Sequence, residues 1–168
     1  MLFSEILGHE YNKNHLLKSA TQGRIPHAQL FIGPEGCGTL PMAIAYSQYI
    51  LCQNSGEENS GGNEASNLTF DHFSHPDLQF IYPTVTTDDV KSKPKSIDFI
   101  TDFRQFLKEN PYGSLFDWYQ LLGVKNKQGE IRVDDAQEIL KSLALKSYEG
   151  GYKVIIIWMA DKMNIAAS

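Results

Sequence analysis

Two glycines, Gly33 and Gly38, bracket the turn in Gly33-Pro-Glu-Gly-Cys-Gly38-Thr39-Leu40, and Gly36 falls inside it. That spacing is the one by which a phosphate-binding loop wraps a nucleotide. Backbone N–H groups and a helix N-terminus cradle the phosphates, a lysine pairs with the β and γ phosphates, and a Ser or Thr hydroxyl ligates magnesium. Here Thr39 stands at the lysine position and Leu40 at the hydroxyl position, and Pro41 takes a further N–H from the first helical turn. Loss of a charge-assisted contact of about 1.5–3 kcal/mol and a neutral one of about 1 kcal/mol weakens phosphate binding by about two to three orders of magnitude. The missing magnesium ligand comes on top. The same spacing also suits a strand-to-helix turn that never held a phosphate, so the flanking elements have to decide.

Ahead of the loop, Ala28 to Ile32 is a short apolar run that predicts a buried strand. Behind it, Thr39 to Leu51 carries Ala43, Ile44, Ile50 and Leu51, with Tyr46 nearby, and predicts a helix that packs one face on a sheet. Strand, glycine loop and helix in that order are the context a phosphate loop requires. Upstream, Tyr11 to Gln22 predicts a helix with Leu16, Leu17 and Ala20 on one face and Gly23 as its stop.

The second chemical position lies near the C-terminus. Lys153-Val-Ile-Ile-Ile157-Trp158 is a β-branched run that predicts a central parallel strand buried on both faces. In a phosphate-loop enzyme such a strand ends in acidic residues that organise magnesium and the attacking water. Trp158 and Met159 occupy those positions, and the first acid is Asp161, which reads as a helix N-cap or a surface charge.

Between the two positions, residues 54–67 are polar, acidic and glycine-rich and predict a flexible surface loop, and residues 84–96, with Lys91, Lys93 and Lys95, predict another. Leu78 to Tyr82 predicts a strand closed by Pro83. Ser96 is placed to cap a helix to Glu109 with Ile100, Phe103, Phe106 and Leu107 on its apolar face. Leu115 to Leu122 is an apolar segment whose Trp118 and Tyr119 suit core packing or a partner surface. Asp135 and Glu138 suggest a capping arrangement for a helix whose Ala136, Ile139, Leu140 and Leu143 form the core-facing stripe, and Gly150-Gly151 ends it.

A net charge of −5 argues against broad nonspecific binding to nucleic acid, which rests on phosphate neutralisation by Lys and Arg. Any contact with DNA is therefore local or shared with partners. The 42% apolar content is that of a globular chain long enough to bury a core. No apolar run reaches the length of a membrane span, and the first residues have neither the basic segment nor the apolar core of a secretion signal, which predicts a cytoplasmic protein. Cys37 and Cys52 are expected as reduced thiols.

The stretch HAQLFIGPEGCG, preceded by ILGHE and Gly23-Arg24-Ile25-Pro26, resembles the opening of the bacterial clamp-loader AAA+ proteins, the delta prime and gamma/tau subunits of DNA polymerase III. His75-Pro-Asp-Leu78, IRVDDAQEI and YKVIIIWMADKMNIAAS follow in that family's order. The resemblance implies a P-loop NTPase (AAA+) α/β fold with a three-layer α/β/α architecture and a parallel central sheet. It also implies that the chain is the N-terminal part of a longer module, truncated before further strands, a helical lid and an oligomerisation domain. The gap this would leave in the sheet is expected to be closed by rearrangement, by another chain's strand or by a segment cleaved from a longer chain, because unpaired buried backbone is costly.

Within that family gamma/tau subunits hydrolyse ATP and keep both nucleotide motifs, whereas delta prime subunits commonly have degenerate ones. With both motifs degenerate here, the resemblance implies a delta-prime-like, ATP-inert subunit. It would have no catalytic residue of its own, and polymerase activity would belong to the holoenzyme. Its expected partners are gamma/tau and delta, with the sliding clamp and primed DNA reached through the assembly, and no membrane. Gly33, Gly36, Gly38, Thr39 and Leu40 are then a vestigial phosphate loop, and Trp158, Met159 and Asp161 a vestigial second motif. No ATP, magnesium or zinc is expected, since relatives' four-cysteine zinc module has only Cys52 as a counterpart here, and Cys52 with His72 and His75 makes three ligands where a structural site needs four. The alternatives are an active gamma/tau-type ATPase with an unusual loop, drawing the missing charge from Lys153, Lys162 or a partner, and a stand-alone protein-interaction domain.

Overall fold

Four-residue strands with apolar side chains on both sides need a neighbour for their backbone groups, and the chain supplies one pair. A computed structural model describes residues 1–52, 70–124, 127–148 and 151–167. In it β1 (Leu78–Ile81) lies parallel to β2 (Val154–Ile157), with Leu78 opposite Val154 and Ile81 opposite Ile157. The ladder runs on at both ends, through Val154 N–H to the Asp77 carbonyl at 2.9 Å and Trp158 N–H to the Ile81 carbonyl at 2.8 Å. Among the described residues this is the whole sheet. The chain is a mixed α/β protein with a short parallel sheet and, among those residues, five α-helices: α1 (Glu10–Thr21), α2 (Thr39–Cys52), α3 (Ile100–Glu109), α4 (Leu115–Leu121) and α5 (Val133–Ala144). None of its helices, among the described residues, is long and apolar enough to cross a membrane.

Two compact units divide the chain, Met1–His75 and Pro76–Ser168. In the first, α1 and α2 enclose a core of Ile6, Leu16, Ala20, Met42, Ala45 and Tyr46, edged by Phe3, Ile25, Phe31, Tyr49 and Ile50. Lys13 of α1 is buried, and its ammonium donates to the Ile6 carbonyl at 2.7 Å and to Glu10 at 2.9 Å, so the charge enters the core already partnered. The strand expected at Ala28 to Ile32 is absent. The segment is irregular and pairs with no strand among the described residues, and of its apolar side chains Phe31 alone turns to the core while Leu30 and Ile32 are 77% and 83% exposed. An apolar run supplies the side chains of a strand, but only a neighbour supplies its hydrogen bonds.

The second unit is built on aromatic packing. Tyr82, just past β1, stacks on Phe103 of α3 with centroids 3.7 Å apart, and Trp118 of α4 meets both rings edge-on at 5.3 Å. The Trp118 indole N–H donates to the Pro83 carbonyl at 2.9 Å, which satisfies its polar edge inside the core. Core packing is thus the role of Leu115–Leu121, with Phe116 left outside. Ser114 caps α4 in reciprocal fashion: its hydroxyl accepts from Asp117 N–H at 3.3 Å and its own N–H donates to the Asp117 carboxylate at 2.8 Å. That backbone donor, seconded by the Ser114 hydroxyl, holds the Asp117 carboxyl below the usual carboxylate range.

Three expectations are corrected here. The strand β2 is not buried on both faces: Ile156 is buried, Val154 and Ile155 are half-buried and Ile157 is exposed, because one described strand flanks it where a central strand has two. The helix expected to be capped at Asp135 begins two residues earlier, at Val133, and Asp135 is its third residue, its carboxylate reaching back to Arg132 N–H at 3.4 Å. The stripe of that helix faces the core only in part, since Ala136 and Ile139 are half-buried but Leu140 and Leu143 are exposed, while Asp135 is buried. Periodicity marks a face but not the side on which its partner stands. Residues 84–96 form a loop whose ends are tied down: Thr84 pairs with Glu130 in an isolated bridge, its hydroxyl donates to the Pro94 carbonyl at 3.1 Å, and Ser96 is buried. The loop expected at 54–67 lies outside the described residues.

Tyr82 gives the second unit a pH limit. Its buried hydroxyl donates to the Ser96 carbonyl at 2.5 Å, and burial first, then the Asp102 and Asp135 carboxylates, push its pKa far above the ordinary value. The folded state therefore keeps a proton that the unfolded chain releases above about pH 10. The stabilisation is complete below that pH and declines as pH rises past it. Both tryptophans, Trp118 and Trp158, lie in this unit, so their fluorescence reports on it. The urea midpoint followed this way should fall between pH 9 and about pH 11, and Tyr82→Phe should make the fall shallower. An equal fall in both proteins would refute this assignment.

Candidate functional site

The glycine loop sits in the first unit. Its turn is held by Cys37 N–H donating to the Pro34 carbonyl at 3.2 Å, and α2 starts with Met42 N–H donating to the Gly38 carbonyl at 3.0 Å. Thr39, Leu40 and Pro41 are therefore the first-turn residues whose N–H groups have no partner inside the helix, and Pro41 has none to offer. This helix end presents two such donors where an intact loop has three. Gly36 and Gly38 have φ of +76° and +94°, a backbone region that side chains strain to enter, so glycine makes this turn without that cost.

Gly33 is needed for space. A Cβ there would stand 2.3 Å from Cys37 Sγ and 3.3 Å from Thr39 Cγ2, so the thiol lies directly against the loop backbone. Leu40 is buried, its side chain belonging to the core of the unit, and Thr39 is half-buried. A residue that sequence reasoning missed joins the loop: His9, just before α1 with φ +59°, donates from Nε2 to the Cys37 carbonyl at 2.7 Å. The signal was present in Gly8-His9, a positive-φ pair ahead of a helix, but only the fold brings it to Cys37.

Trp158, Met159 and Asp161 belong to the second unit and serve three different local purposes. Trp158, at the end of β2, packs between Phe103 and Phe106 of α3, with centroids 5.7 and 5.5 Å away. Met159 adopts a left-handed conformation, φ +56°, that turns the chain into a 3-10 turn at Ala160–Lys162. Asp161 is exposed within that turn and pairs with Lys162 at 2.9 Å, which makes it a surface charge and not an N-cap. Lys153 Nζ donates to the Ser142 carbonyl at 2.6 Å.

Cys37 and Cys52 form no disulfide, and among the described residues no three His, Cys, Asp or Glu side chains are placed to hold a metal ion. Cys52 and His75 are both buried, and His72 lies in the turn that follows residue 71.

Comparison with curated proteins and with solved structures gives no match. The family model described as DNA polymerase III, delta subunit, matches residues 8–168, a span that holds the Gly8-His9 turn, the glycine loop, both strands and the Trp158 turn. On that match over nearly its whole length, the chain belongs to the DNA polymerase III, delta subunit, family.

Proposed function

We propose that the chain is an ATP-inert, delta-prime-type subunit of the DNA polymerase III clamp loader, acting through interface geometry. The family match carries the broader clamp-loader-related role in replication. In this reading the described residues belong to a three-layer AAA+ module in the cytoplasm. Gamma/tau and delta are its neighbours, and the sliding clamp and primed DNA are reached through the assembly. It has no catalytic residue and takes no ATP, magnesium or zinc.

One observation carries the ATP-inert assignment: the position where a magnesium-organising acid would stand holds Trp158, an aromatic ring built into the core between Phe103 and Phe106. The loop adds to it, with Leu40 buried at the hydroxyl position and Thr39 at the lysine position. The two lysines that an active site of unusual design would recruit are already engaged, Lys153 by the Ser142 carbonyl and Lys162 by Asp161.

Titration with labelled ATP tests the assignment. An intact loop that binds at about micromolar concentration, weakened by two to three orders of magnitude, leaves a dissociation constant of about 0.1–1 mM. The expected result is no saturation in the micromolar range and no response to magnesium. Tight, magnesium-dependent binding overturns it, and ATP turnover abolished by Gly38→Leu would identify a gamma/tau-type ATPase instead.

A further inference from the structure

We infer that His9 is a strap that keeps the glycine loop closed, a positioning residue acting from the start of α1 on a loop 28 residues away. The bond runs from Nε2 to the Cys37 carbonyl at 2.7 Å, and since a carbonyl only accepts, Nε2 carries the proton. The oxygen it meets has no donor from the helix behind it. The ladder of α2 begins one residue later, with Met42 N–H on the Gly38 carbonyl, so the Cys37 carbonyl lies outside it. His9 in turn is set for the loop and not for its own helix. It stands at the N-cap of α1, yet its side chain makes no capping hydrogen bond there. Gly8 and His9 take consecutive left-handed conformations, φ +68° and +59°, and a residue with a side chain enters that region at a cost. Crowding at Gly8 does not impose the turn, because a Cβ there would meet no atom within 4 Å. What the turn achieves is the reach of the imidazole to the loop.

Both ends of the strap are fixed. Lys13 N–H holds the His9 carbonyl at 3.0 Å, and Leu16 and Ala20 of α1 share a core with Met42, Ala45 and Tyr46 of α2. On the loop side, Cys37 N–H donates to the Pro34 carbonyl and Cys37 Sγ is seated against Gly33. Cys37 is thus restrained at its N–H, its thiol and its carbonyl, and the carbonyl restraint is the one that comes from α1. Releasing it lets the loop open and unseats the thiol, with α1 and α2 left in place. The strap acts whether or not the loop takes ATP.

The Cys37 thiol reports on the strap, and Cys52, buried in α2 of the same unit, reports on the unit as a whole. Alkylation of the full chain by iodoacetamide, resolved by peptide mass spectrometry, measures both. His9→Phe keeps a ring and removes the donor, whereas His9→Gln removes the ring and keeps an N–H. Loss of one hydrogen bond should speed Cys37 alkylation about three- to tenfold in His9→Phe. His9→Gln should stay within about twofold of the parent, and Cys52 should be unchanged in both. Exchange of the Cys37 amide, followed by NMR, should rise by the same factor, which separates opening of the loop from a change in thiol ionisation. An unchanged Cys37 in His9→Phe, His9→Gln as fast as His9→Phe, equal acceleration of Cys37 and Cys52, or faster alkylation with unchanged exchange overturns the proposal.

Discussion

Trp158→Asp, the substitution that places an acid at the end of β2, is expected to lower the unfolding free energy of the Pro76–Ser168 unit by about 4 kcal/mol or more. Truncating a buried aromatic residue alone costs about 3–5 kcal/mol, and the new carboxylate would enter a site bounded by Phe103 and Phe106. Since whole domains are stable by only about 5–15 kcal/mol, much of the unit should be unfolded at 37 °C. Trp118 remains as the reporter, so urea denaturation followed by its fluorescence measures the loss. Trp158→Phe, which keeps an aromatic ring, should cost about 1–2 kcal/mol. A Trp158→Asp variant as stable as the parent would show that Trp158 is not a core residue. The larger meaning lies in the coupling of chemistry to packing. An acid at this position would lose the contacts that the indole makes with the Phe103 and Phe106 rings of α3.

Asp135→Ala is expected to cost the same unit about 2–4 kcal/mol. Asp135 is 1% exposed, and its Oδ1 accepts Ser96 N–H at 2.8 Å while its Oδ2 lies 3.4 Å from Arg132 N–H. One carboxylate thus ties the start of α5 to the residue where the chain enters the 3-10 turn before α3. Ser96 in turn exchanges hydrogen bonds with Tyr82, its hydroxyl meeting the Tyr82 N–H and carbonyl at 3.2 Å and its carbonyl accepting the phenol. Removing the carboxylate leaves a buried N–H without an acceptor, which costs more than the hydrogen bond was worth. Asp135→Asn retains an acceptor oxygen and should recover at least half of the loss. If the alanine and asparagine variants melt together with the parent, the bridge contributes nothing.

Local signals located the helices well. The expected Tyr11–Gln22 is Glu10–Thr21 in the structure, and Thr39 to Leu51 is Thr39–Cys52. These segments carry their own hydrogen bonds, so residue spacing and a stop at Gly23 suffice. Leu78 to Tyr82 and Lys153 to Trp158 also emerged as the two strands, because each run is apolar enough for the other to cover. The same reasoning failed for Ala28 to Ile32, an equally apolar run whose strand required a neighbour that the described residues do not provide. It failed in part on α5, where Ala136 and Ile139 of the apolar stripe are half-buried but Leu140 and Leu143 face outward, and the acid expected to cap the helix is its buried anchor. Only a long-range contact, Ser96 N–H to Asp135, explains why that acid is inside.

The sequence by itself determined which chemistry the loop lacks: Thr39, Leu40 and Pro41 hold no lysine charge, no magnesium-binding hydroxyl in place and one N–H fewer, whatever the fold. It likewise determined that Trp158 and Met159, and no acid, follow the β-branched run Val154 to Ile157. What only the tertiary structure decided is where those substitutes go. Cys37 Sγ lies against Gly33, His9 holds the loop at the Cys37 carbonyl, and Trp158 is locked into the aromatic core of its unit. The physical reason is separation along the chain. Residue identity fixes a side chain's charge and donors locally, but burial and partners are set by residues tens of positions away, and no spacing rule encodes them.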